Sequence, residues 1–350
     1  MGQNARAMSA QQSRPGTLPP AAQMMQLIWP GAMAAQAIYV AAKLAVADKL
    51  VDGPRTIDEL ATATKTHARS LHRLLRTLTS LSVFQEPVPG RFENTELSNT
   101  LRSDVPGSVR PWAIFLSAPF NWRLWGSLED TIRTGEAAAP RVYGKPFWEY
   151  LAENPADAAV FNAAMSSRSE IVGAAVIAAY DFSQFRKVVD VGGGHGRLLH
   201  SILSTVPSLY GVLYDLPEVV ADAVFLESDV ASGRAKIIGG SFLQNIPGGA
   251  DAYILSGVIN DWNDDDALTI LRNCRQAISN NGWLLLVTSI SKPSTAPADR
   301  GNFMDVYMML YGGRDRSEEE FRSLLSDAGF SLVRVIPTST LTFIIEAAPV

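Results

Sequence analysis

The second half of the sequence predicts a doubly wound α/β domain, and three observations indicate it. Short apolar runs alternate with helical patterns from residue 181 onward, which is typical of a parallel sheet covered by helices. One run, Val188–Val191, leads directly into a glycine-rich stretch at 192–196, and a helical pattern begins at Arg197. A strand, a tight turn and a helix start in this order form the corner at which such folds hold phosphates or nucleosides.

The glycine-rich stretch has acidic residues where a nucleoside ligand would need them. Glycine at 192, 193, 194 and 196 lets a ligand approach backbone that any side chain would block. The spacing G-x-G-x-G differs from the dinucleotide fingerprint, because Arg197 stands where the last glycine would lie. Asp190, at the strand's end, could accept an amino-acid ammonium. Asp215 ends the next apolar run, where a carboxylate commonly binds ribose hydroxyls.

Seven strands are expected in this domain. They fall near residues 187–191, 210–214, 235–239, 251–256, 283–289, 331–336 and 340–346. The regular alternation with helices makes the first five parallel. The last two flank a short turn at Pro337-Thr338-Ser339, so we expect them to form a terminal antiparallel pair.

The N-terminal region is predicted to be a helical, winged-helix-like dimerisation domain at residues 21–105, after a disordered tail at residues 1–20. Residues 21–50 carry apolar side chains on nearly every face, so this helical segment should be buried against a second subunit. Interrupting polar residues and Pro30-Gly31, which should break the helix, argue against a membrane span.

Two short helices and a hairpin complete the winged-helix pattern. The sequence Thr56-Ile57-Asp58-Glu59 predicts a capping box at the start of the first helix. Thr66 is expected to cap the second, whose leucines between 71 and 81 share one face. Residues 83–85 and 91–93 form the predicted hairpin. Basic residues on the second helix raise the alternative of DNA binding, but the acidic chain favours a solvated surface.

Composition narrows the class of protein. The chain has 350 residues, of which 47% are hydrophobic and 19% charged, as expected for a globular protein of two domains. A formal net charge of −5 disfavours a nucleic-acid binder. The single cysteine, Cys274, excludes a disulfide framework and a cysteine-based metal cage and suits a reducing cytoplasm.

Three blocks together carry a resemblance to a known family. The glycine loop, the segment Tyr214–Val219 and the segment Asn260-Asp261-Trp262 follow one another at family spacing. Over residues 25–348 the chain resembles the dimeric small-molecule O-methyltransferases, which include plant caffeate-type and bacterial phenazine and anthracycline enzymes. The resemblance implies a Rossmann-like class I methyltransferase sheet at 181–350, S-adenosylmethionine (SAM) as cofactor, and a homodimer formed through the N-terminal helices.

The resemblance also implies which residues bind the cofactor. The positions that match the family's SAM site are Asp190, Gly192, Gly194, Gly196, Asp215, Leu216, Phe242 and Trp262. Ser241 replaces a carboxylate that would accept from the adenine amino group, and its hydroxyl can still accept with less charge assistance. Ser256 stands where a lysine often reaches toward the cofactor. We therefore expect SAM to bind.

The catalytic positions depart from the family pattern. A histidine normally begins the x-D-W block and removes the acceptor's proton, but here the residue is Asn260, whose amide cannot take one. Of two acidic residues that orient the histidine in the family, one is replaced by Thr288 and the other is shortened to Asp315. The chain's histidines, at 67, 72, 195 and 200, all precede this region. Cofactor binding is therefore expected to be kept and the histidine base to be lost.

An acceptor pocket is expected from two segments. Residues 106–180 read as a helical, aromatic-rich linker, within which Phe161, Asn162 and Met165 match a family segment that closes over the acceptor. A later helix would add Asn302, Asp305 and Met309, with Asp305 or Asp315 as a weak base. For the apolar members of this set, an ordinary place in the core is an equal alternative.

Three functions stay open. The first is a SAM-dependent methyltransferase for a small-molecule, secondary-metabolite acceptor that needs no histidine: an ionised enol or acidic phenol, a carbon nucleophile or an amine. The second is an enzyme of this fold that does not methylate, of the pericyclase, hydroxylase or decarboxylase type, with the sulfonium as an electrostatic element. The third is a non-enzymatic small-molecule-binding regulator, which the acidic composition disfavours.

Overall fold

The computed structural model describes residues 18–291 and 301–350 of the chain. Of the predicted disordered tail, residues 1–17 lie outside the described residues, and Pro20 already begins a helix. The chain divides between Val105 and Pro106 into two units. The helical segment from residue 106 belongs to the same unit as the sheet.

The N-terminal unit combines helices with a small antiparallel sheet. Its helices are α1 (Pro20–Lys43), α2 (Val46–Lys49), α3 (Ile57–Thr64), α4 (Ala68–Thr79) and α5 (Glu96–Asn99), and its strands are β1 (Arg55–Thr56), β2 (Phe84–Val88) and β3 (Arg91–Asn94). The strands lie in the order β1-β3-β2. Two helices followed by a hairpin are present as predicted, and β1 adds a third strand.

Two details of this unit differ from the prediction. α1 continues through Pro30, because one lost backbone donor is tolerated in a long helix that is otherwise rich in Ala and Met. α4 is preceded by His67 rather than capped by Thr66, whose hydroxyl lies 2.9 Å from that of Thr64 instead. The capping box of Thr56 and Glu59 is present in full.

α1 presents large apolar side chains to solvent in the single chain. Met24, Met25, Leu27, Ile28, Trp29 and Met33 are all exposed. Among the described residues, no helix has the length and apolar character needed to cross a membrane.

The C-terminal unit contains the large sheet and its helices. The helices are α6 (Arg110–Ser117), α7 (Pro119–Trp125), α8 (Leu128–Thr134), α9 (Ala138–Tyr143), α10 (Phe147–Glu153), α11 (Pro155–Ala179), α12 (Arg197–Thr205), α13 (Pro217–Val220), α14 (Glu227–Ala231), α15 (Asp264–Ala277), α16 (Gly301–Tyr311) and α17 (Glu318–Asp327). The strands are β4 (Lys187–Val191), β5 (Tyr210–Asp215), β6 (Ala235–Gly239), β7 (Ala252–Ser256), β8 (Trp283–Thr288), β9 (Phe330–Pro337) and β10 (Phe343–Pro349).

The sheet has the order β6-β5-β4-β7-β8-β10-β9. Strands β4 to β8 pair in parallel, and β10 is antiparallel to both β8 and β9, which confirms the predicted architecture. β10 begins at Phe343 rather than near 340, because the Thr338 hydroxyl donates to the Thr342 carbonyl and holds the intervening residues in a turn. The strand order reverses between β4 and β7, so a ligand crevice is expected at their carboxyl ends.

Candidate active site

The glycine-rich turn lies at the carboxyl end of β4, beside the reversal of strand order. Gly192, Gly194 and Gly196 have φ values of 70, 59 and 80°, in the left-handed region that glycine occupies without strain. A Cβ on Gly193 would lie 2.5 Å from Asp190 Oδ2. The alternate glycines are therefore needed for backbone shape, whereas Gly193 is needed because the Asp190 carboxylate lies directly against it.

Asp190 is a buried carboxylate that no protein group neutralises. Its exposed fraction is zero, and within the described part of the chain neither side-chain oxygen has a hydrogen-bond partner. Burial and, to a smaller extent, the nearby Asp215 raise the pKa of Asp190 to about 7. Because an uncompensated buried charge is costly, this corner is suited to a cationic group supplied by a ligand.

The Asp215 side chain links the end of β5 to the glycine turn by a hydrogen bond. Its two oxygens accept from the N–H groups of Gly194, at 2.8 Å, and Leu216, at 2.7 Å. Burial raises the pKa of Asp215, and these two backbone N–H groups lower it. A carboxylate has about four acceptor sites, so each oxygen can still receive a ligand hydroxyl.

Further polar and aromatic groups surround the same corner. Ser256 Oγ, at the end of β7, and His195 Nε2, in the glycine turn, are buried with no hydrogen-bond partner among the described residues. The Phe242 ring lies against Gly192 and meets the Trp262 ring edge to face, with centroids 5.7 Å apart. Of the other predicted cofactor residues, Ser241 is partly buried and Leu216 is exposed.

Asn260 lies in the short 3₁₀ turn Ile259–Asp261 that follows β7. Its Nδ2 donates to Ser289 Oγ at 2.8 Å and to Asp315 Oδ1 at 2.7 Å, and its Oδ1 accepts from Thr288 Oγ1 at 2.5 Å. Ser289 Oγ donates in turn to Asp315 Oδ1 at 2.8 Å. Asn260, Thr288 and Asp315 are thus joined in one network, with Ser289 as a fourth member.

Asp315 and Arg316 fix the surroundings of this turn. Burial raises the pKa of Asp315, while the bonds from Ser289 and Asn260 lower it. Asp305 Oδ1 accepts from the Asp315 N–H at 2.9 Å, so Asp305 holds the backbone of that segment. The buried Arg316 guanidinium donates to the carbonyls of Ile259 and Trp262, both at 2.9 Å, and to the Asp264 carboxylate.

Two charged residues to which the sequence analysis assigned no role lie in or next to the turn Ile259–Asp261. Asp261 follows Asn260, and burial raises the pKa of Asp261 to about 7, with Arg168 opposing this shift. Arg168 lies on α11, and its Nη1 is 2.6 Å from where a Cβ on Gly257 would be, which places the guanidinium at the carboxyl end of β7. Burial lowers the pKa of Arg168, and Asp261 opposes that shift.

A sequence signal for Arg168 exists. Phe161, Met165 and Arg168 are spaced i, i+4 and i+7 on one helix, so they share a face. A pocket assigned to Phe161 and Met165 could therefore have been extended to the arginine.

Aromatic side chains form a wall next to Trp262. Trp148 stacks on Trp262 with centroids 6.0 Å apart and meets Phe161 edge to face at 5.5 Å. Behind them, Asn121 Nδ2 donates to the Tyr307 hydroxyl at 2.8 Å. The remaining predicted acceptor residues are Asn162, Met165 and Met309, which are partly buried, and Asn302, which is exposed in the first turn of α16.

Comparison with known proteins adds independent findings. A family model described as an O-methyltransferase domain matches residues 125–331, and one described as an O-methyltransferase dimerisation domain matches residues 27–104. The phenazine O-methyltransferase PhzM of Lysobacter antibioticus is 39% identical over 97% of this chain and 99% of that protein. The crystal structure of LaPhzM matches with a TM-score of 0.91 at 38% identity, covering 95% of this chain and 100% of that chain.

A relative at similar identity carries the name of a different reaction. The aclacinomycin 10-hydroxylase RdmB of Streptomyces purpurascens is 36% identical over 88% of this chain and 84% of that protein. Related structures have been solved with SAM or S-adenosylhomocysteine bound.

Proposed function

Since the chain belongs to the family of SAM-dependent small-molecule O-methyltransferases, we propose that it methylates a secondary metabolite without a histidine base. The observation that carries this proposal is the Asn260 amide, engaged at once by Thr288, Ser289 and Asp315. An amide has no basic lone pair with which to take the acceptor's proton. The acceptor is therefore either nucleophilic by itself, as an acidic phenol, an enol or an amine is, or it is deprotonated by another group.

The residues of the glycine corner fit the cofactor. The buried, unpaired carboxylate of Asp190 suits the ammonium of SAM, and the Arg168 guanidinium suits its carboxylate. Asp215 would receive the ribose hydroxyls. Ser256 Oγ and His195 Nε2 offer further polar contacts. When bound, SAM supplies an electrophilic methyl group on a sulfonium.

The rest of the site would orient the acceptor. Trp148, Phe161 and Trp262 provide flat apolar surfaces, against which a planar aromatic molecule packs well. Arg316 holds the turn that carries Asn260 and Trp262 in one conformation. Because methyl transfer is an in-line displacement, fixing the nucleophile in line with the methyl carbon accounts for a large part of catalysis.

A second function is a SAM-binding enzyme that does not methylate. Two observations favour it: Asn260 stands where the family resemblance implies a histidine, and a relative of 36% identity has a name that states a hydroxylation. In such an enzyme the sulfonium would act as a fixed positive charge, and Asp190 and Asp215 would hold the cofactor in the same way.

Incubation with methyl-labelled SAM and a panel of hydroxyarenes and arylamines separates the two functions. Methyl transfer predicts labelled product and an equal amount of S-adenosylhomocysteine. The second function predicts a changed acceptor with SAM left intact. Neither product, in a protein shown by calorimetry to bind SAM, would count against both.

The cofactor assignment has its own test, which needs no acceptor. 5′-Methylthioadenosine lacks the amino-acid part of S-adenosylhomocysteine, so it cannot contact Arg168 or Asp190 as proposed. Arg168→Met should therefore weaken S-adenosylhomocysteine binding and leave methylthioadenosine binding unchanged. The matched control, Arg186→Met, removes an exposed arginine. Equal losses for both ligands would contradict the assignment.

We also propose a homodimer in which α1 packs against a second copy. The support is the match to a dimerisation-domain model over residues 27–104 and the exposed apolar side chains along α1, among them Leu27, Ile28 and Trp29. Large contiguous apolar surfaces on a single chain commonly mark such interfaces.

A further inference from the structure

Because the Asn260 amide cannot take a proton, another group must take the proton of the acceptor. An acceptor that is not ionised in solution must lose a proton at some stage of methyl transfer, and a carboxylate within reach can take it. The described residues place four carboxylates and one imidazole near the ends of β4 and β7: Asp190, Asp261, Asp305, Asp315 and His195.

Most of these groups are already hydrogen-bonded or are buried. Asp315 accepts two hydrogen bonds on one oxygen and is 8% exposed, and Asp305 accepts from the Asp315 backbone. Asp190 is fully buried beneath Gly193. His195 lies on the ribose side, where it acts on the pKa of Asp215 by lowering it.

Asp261 differs from all of them. It is partly accessible, and none of the hydrogen bonds or ion pairs of the described residues involves its carboxylate. It is the neighbour of Asn260 in the 3₁₀ turn, at the carboxyl end of β7, and the turn is held by Arg316. The Asp261 carboxylate therefore has no hydrogen bond among the described residues, lies on a turn that Arg316 holds, and is adjacent in the chain to the position from which the family histidine would act.

The titratable groups around Asp261 come from three parts of the chain. Arg168 faces it from α11, Tyr307 and Tyr311 from α16, and Asp315 from the segment after α16. Burial raises the pKa of Asp261 to about 7, Arg168 lowers that pKa and Asp315 raises it. A base with a pKa near the working pH combines a useful ionised fraction with enough basicity.

We infer that Asp261 is the proton acceptor of this enzyme, in place of the missing histidine, an inference that rests on the proposed methyl transfer. The acceptor's O–H or N–H bond gives its proton to a carboxylate oxygen of Asp261. The freed electron pair forms the new bond to the methyl carbon. The carbon–sulfur bond breaks with its electrons on sulfur, leaving S-adenosylhomocysteine. The protonated Asp261 then returns the proton to solvent.

Label transfer from SAM to two phenols of different acidity tests this inference. 1-Naphthol is largely un-ionised at pH 7.5, whereas 4-nitrophenol is largely ionised. Asp261→Asn should lower the rate with 1-naphthol by about 10²- to 10⁴-fold, the usual contribution of general-base catalysis, and the rate with 4-nitrophenol far less. In the wild type the 1-naphthol rate should rise with pH through the Asp261 pKa of about 7, and this inflection should vanish in Asp261→Asn.

Three further measurements separate a catalytic role from a structural one. S-Adenosylhomocysteine affinity, measured by calorimetry, should not fall in Asp261→Asn, because the substitution removes a carboxylate that competes with the ligand for Arg168. The matched control Asp265→Asn, an exposed residue in the same segment, should keep both rates and the pH profile. Asn260→His added to Asp261→Asn should restore part of the 1-naphthol rate, because it supplies a new base next to the old one.

Each result bears on the inference. Equal losses with both phenols, or a large loss of S-adenosylhomocysteine affinity with the pH inflection retained, would make Asp261 a binding residue and overturn it. Unchanged rates in Asp261→Asn would overturn it while leaving the proposed methyl transfer intact. A wild type that methylates no hydroxyarene or arylamine would contradict the proposed function, and this inference with it.

Discussion

Asn260→Asp is a sharp perturbation of the network beside the active site, because it preserves shape and changes a single donor group. In the wild type, Asn260 Nδ2 donates to Asp315 Oδ1 at 2.7 Å and to Ser289 Oγ at 2.8 Å. In the variant, an oxygen takes the place of that nitrogen and faces the Asp315 carboxylate. Two carboxylates at such a distance cannot both be ionised without a large penalty.

The size of the effect follows from the bonds that are lost. The bond to Asp315 is charge-assisted and contributes about 1.5–3 kcal/mol, and the bond to Ser289 is neutral and contributes about 1 kcal/mol. At pH 8 we therefore expect a loss of about 2.5–4 kcal/mol in the free energy of unfolding. The pair titrates with a raised pKa in the folded state, so its stability is fully present at low pH and is lost as pH rises through that pKa.

Urea unfolding followed by tryptophan fluorescence at pH 5.5 and pH 8 measures this loss. The deficit of Asn260→Asp relative to wild type should be large at pH 8 and shrink at pH 5.5, where one shared proton restores a hydrogen bond between the two carboxyl groups. Asn280→Asp, at an exposed position, is the matched control and should show no such pH dependence. A deficit under about 1 kcal/mol at both pH values would show that the network is not closed as described.

Three other predictions concern the cofactor corner and the dimer. Because burial raises the pKa of Asp190 to about 7 and a bound ammonium would lower it, SAM binding near pH 6.5 should release protons; calorimetry in buffers of different ionisation enthalpy measures this release, which Asp190→Asn should abolish. Asp215→Ala removes the acceptor of two backbone N–H groups and the proposed ribose ligand, so SAM affinity should fall severely, and an unchanged calorimetric affinity would refute that role. Leu27→Glu combined with Trp29→Glu should yield a monomer in light scattering, whereas a retained dimer would exclude α1 from the interface.

Most of the fold could be predicted from the sequence because its signals are local. Alternating apolar runs and helical patterns located the seven strands, and the parallel direction of the first five follows from their regular alternation with helices. The errors arose where one local signal was outweighed by several others. Pro30 did not end α1, since a single missing donor costs less than the neighbouring helix formers contribute. β1 has two residues, too few to show a pattern.

The candidate site was predictable only where its residues are contiguous in sequence. Asp190 and the glycines lie within seven positions of one another, so their spacing describes their geometry. Asn260 and Asp315 are 55 positions apart, and their contact could be anticipated only through the family resemblance. Ser289 and Arg168 come from a strand end and a helix face whose approach depends on the packing of the whole unit. Asp261 differs from Asp190, Asp305 and Asp315 in being both partly exposed and without a hydrogen bond on its carboxylate among the described residues, and this combination is likewise a property of the folded chain.

The three positions that depart from the family pattern in the sequence, Asn260, Thr288 and Asp315, are physically linked. The Thr288 hydroxyl can donate to Asn260 Oδ1, but an ionised acidic residue at 288 only accepts and would face that same oxygen without a hydrogen atom between them. Asn260 in turn needs Asp315 and Ser289 to accept its two amide hydrogens. Thr288, Asn260, Ser289 and Asp315 thus satisfy one another's hydrogen-bonding groups. Both polar atoms of the Asn260 amide are engaged in this network, so under the inferred mechanism the acceptor's proton passes to Asp261, in the same turn.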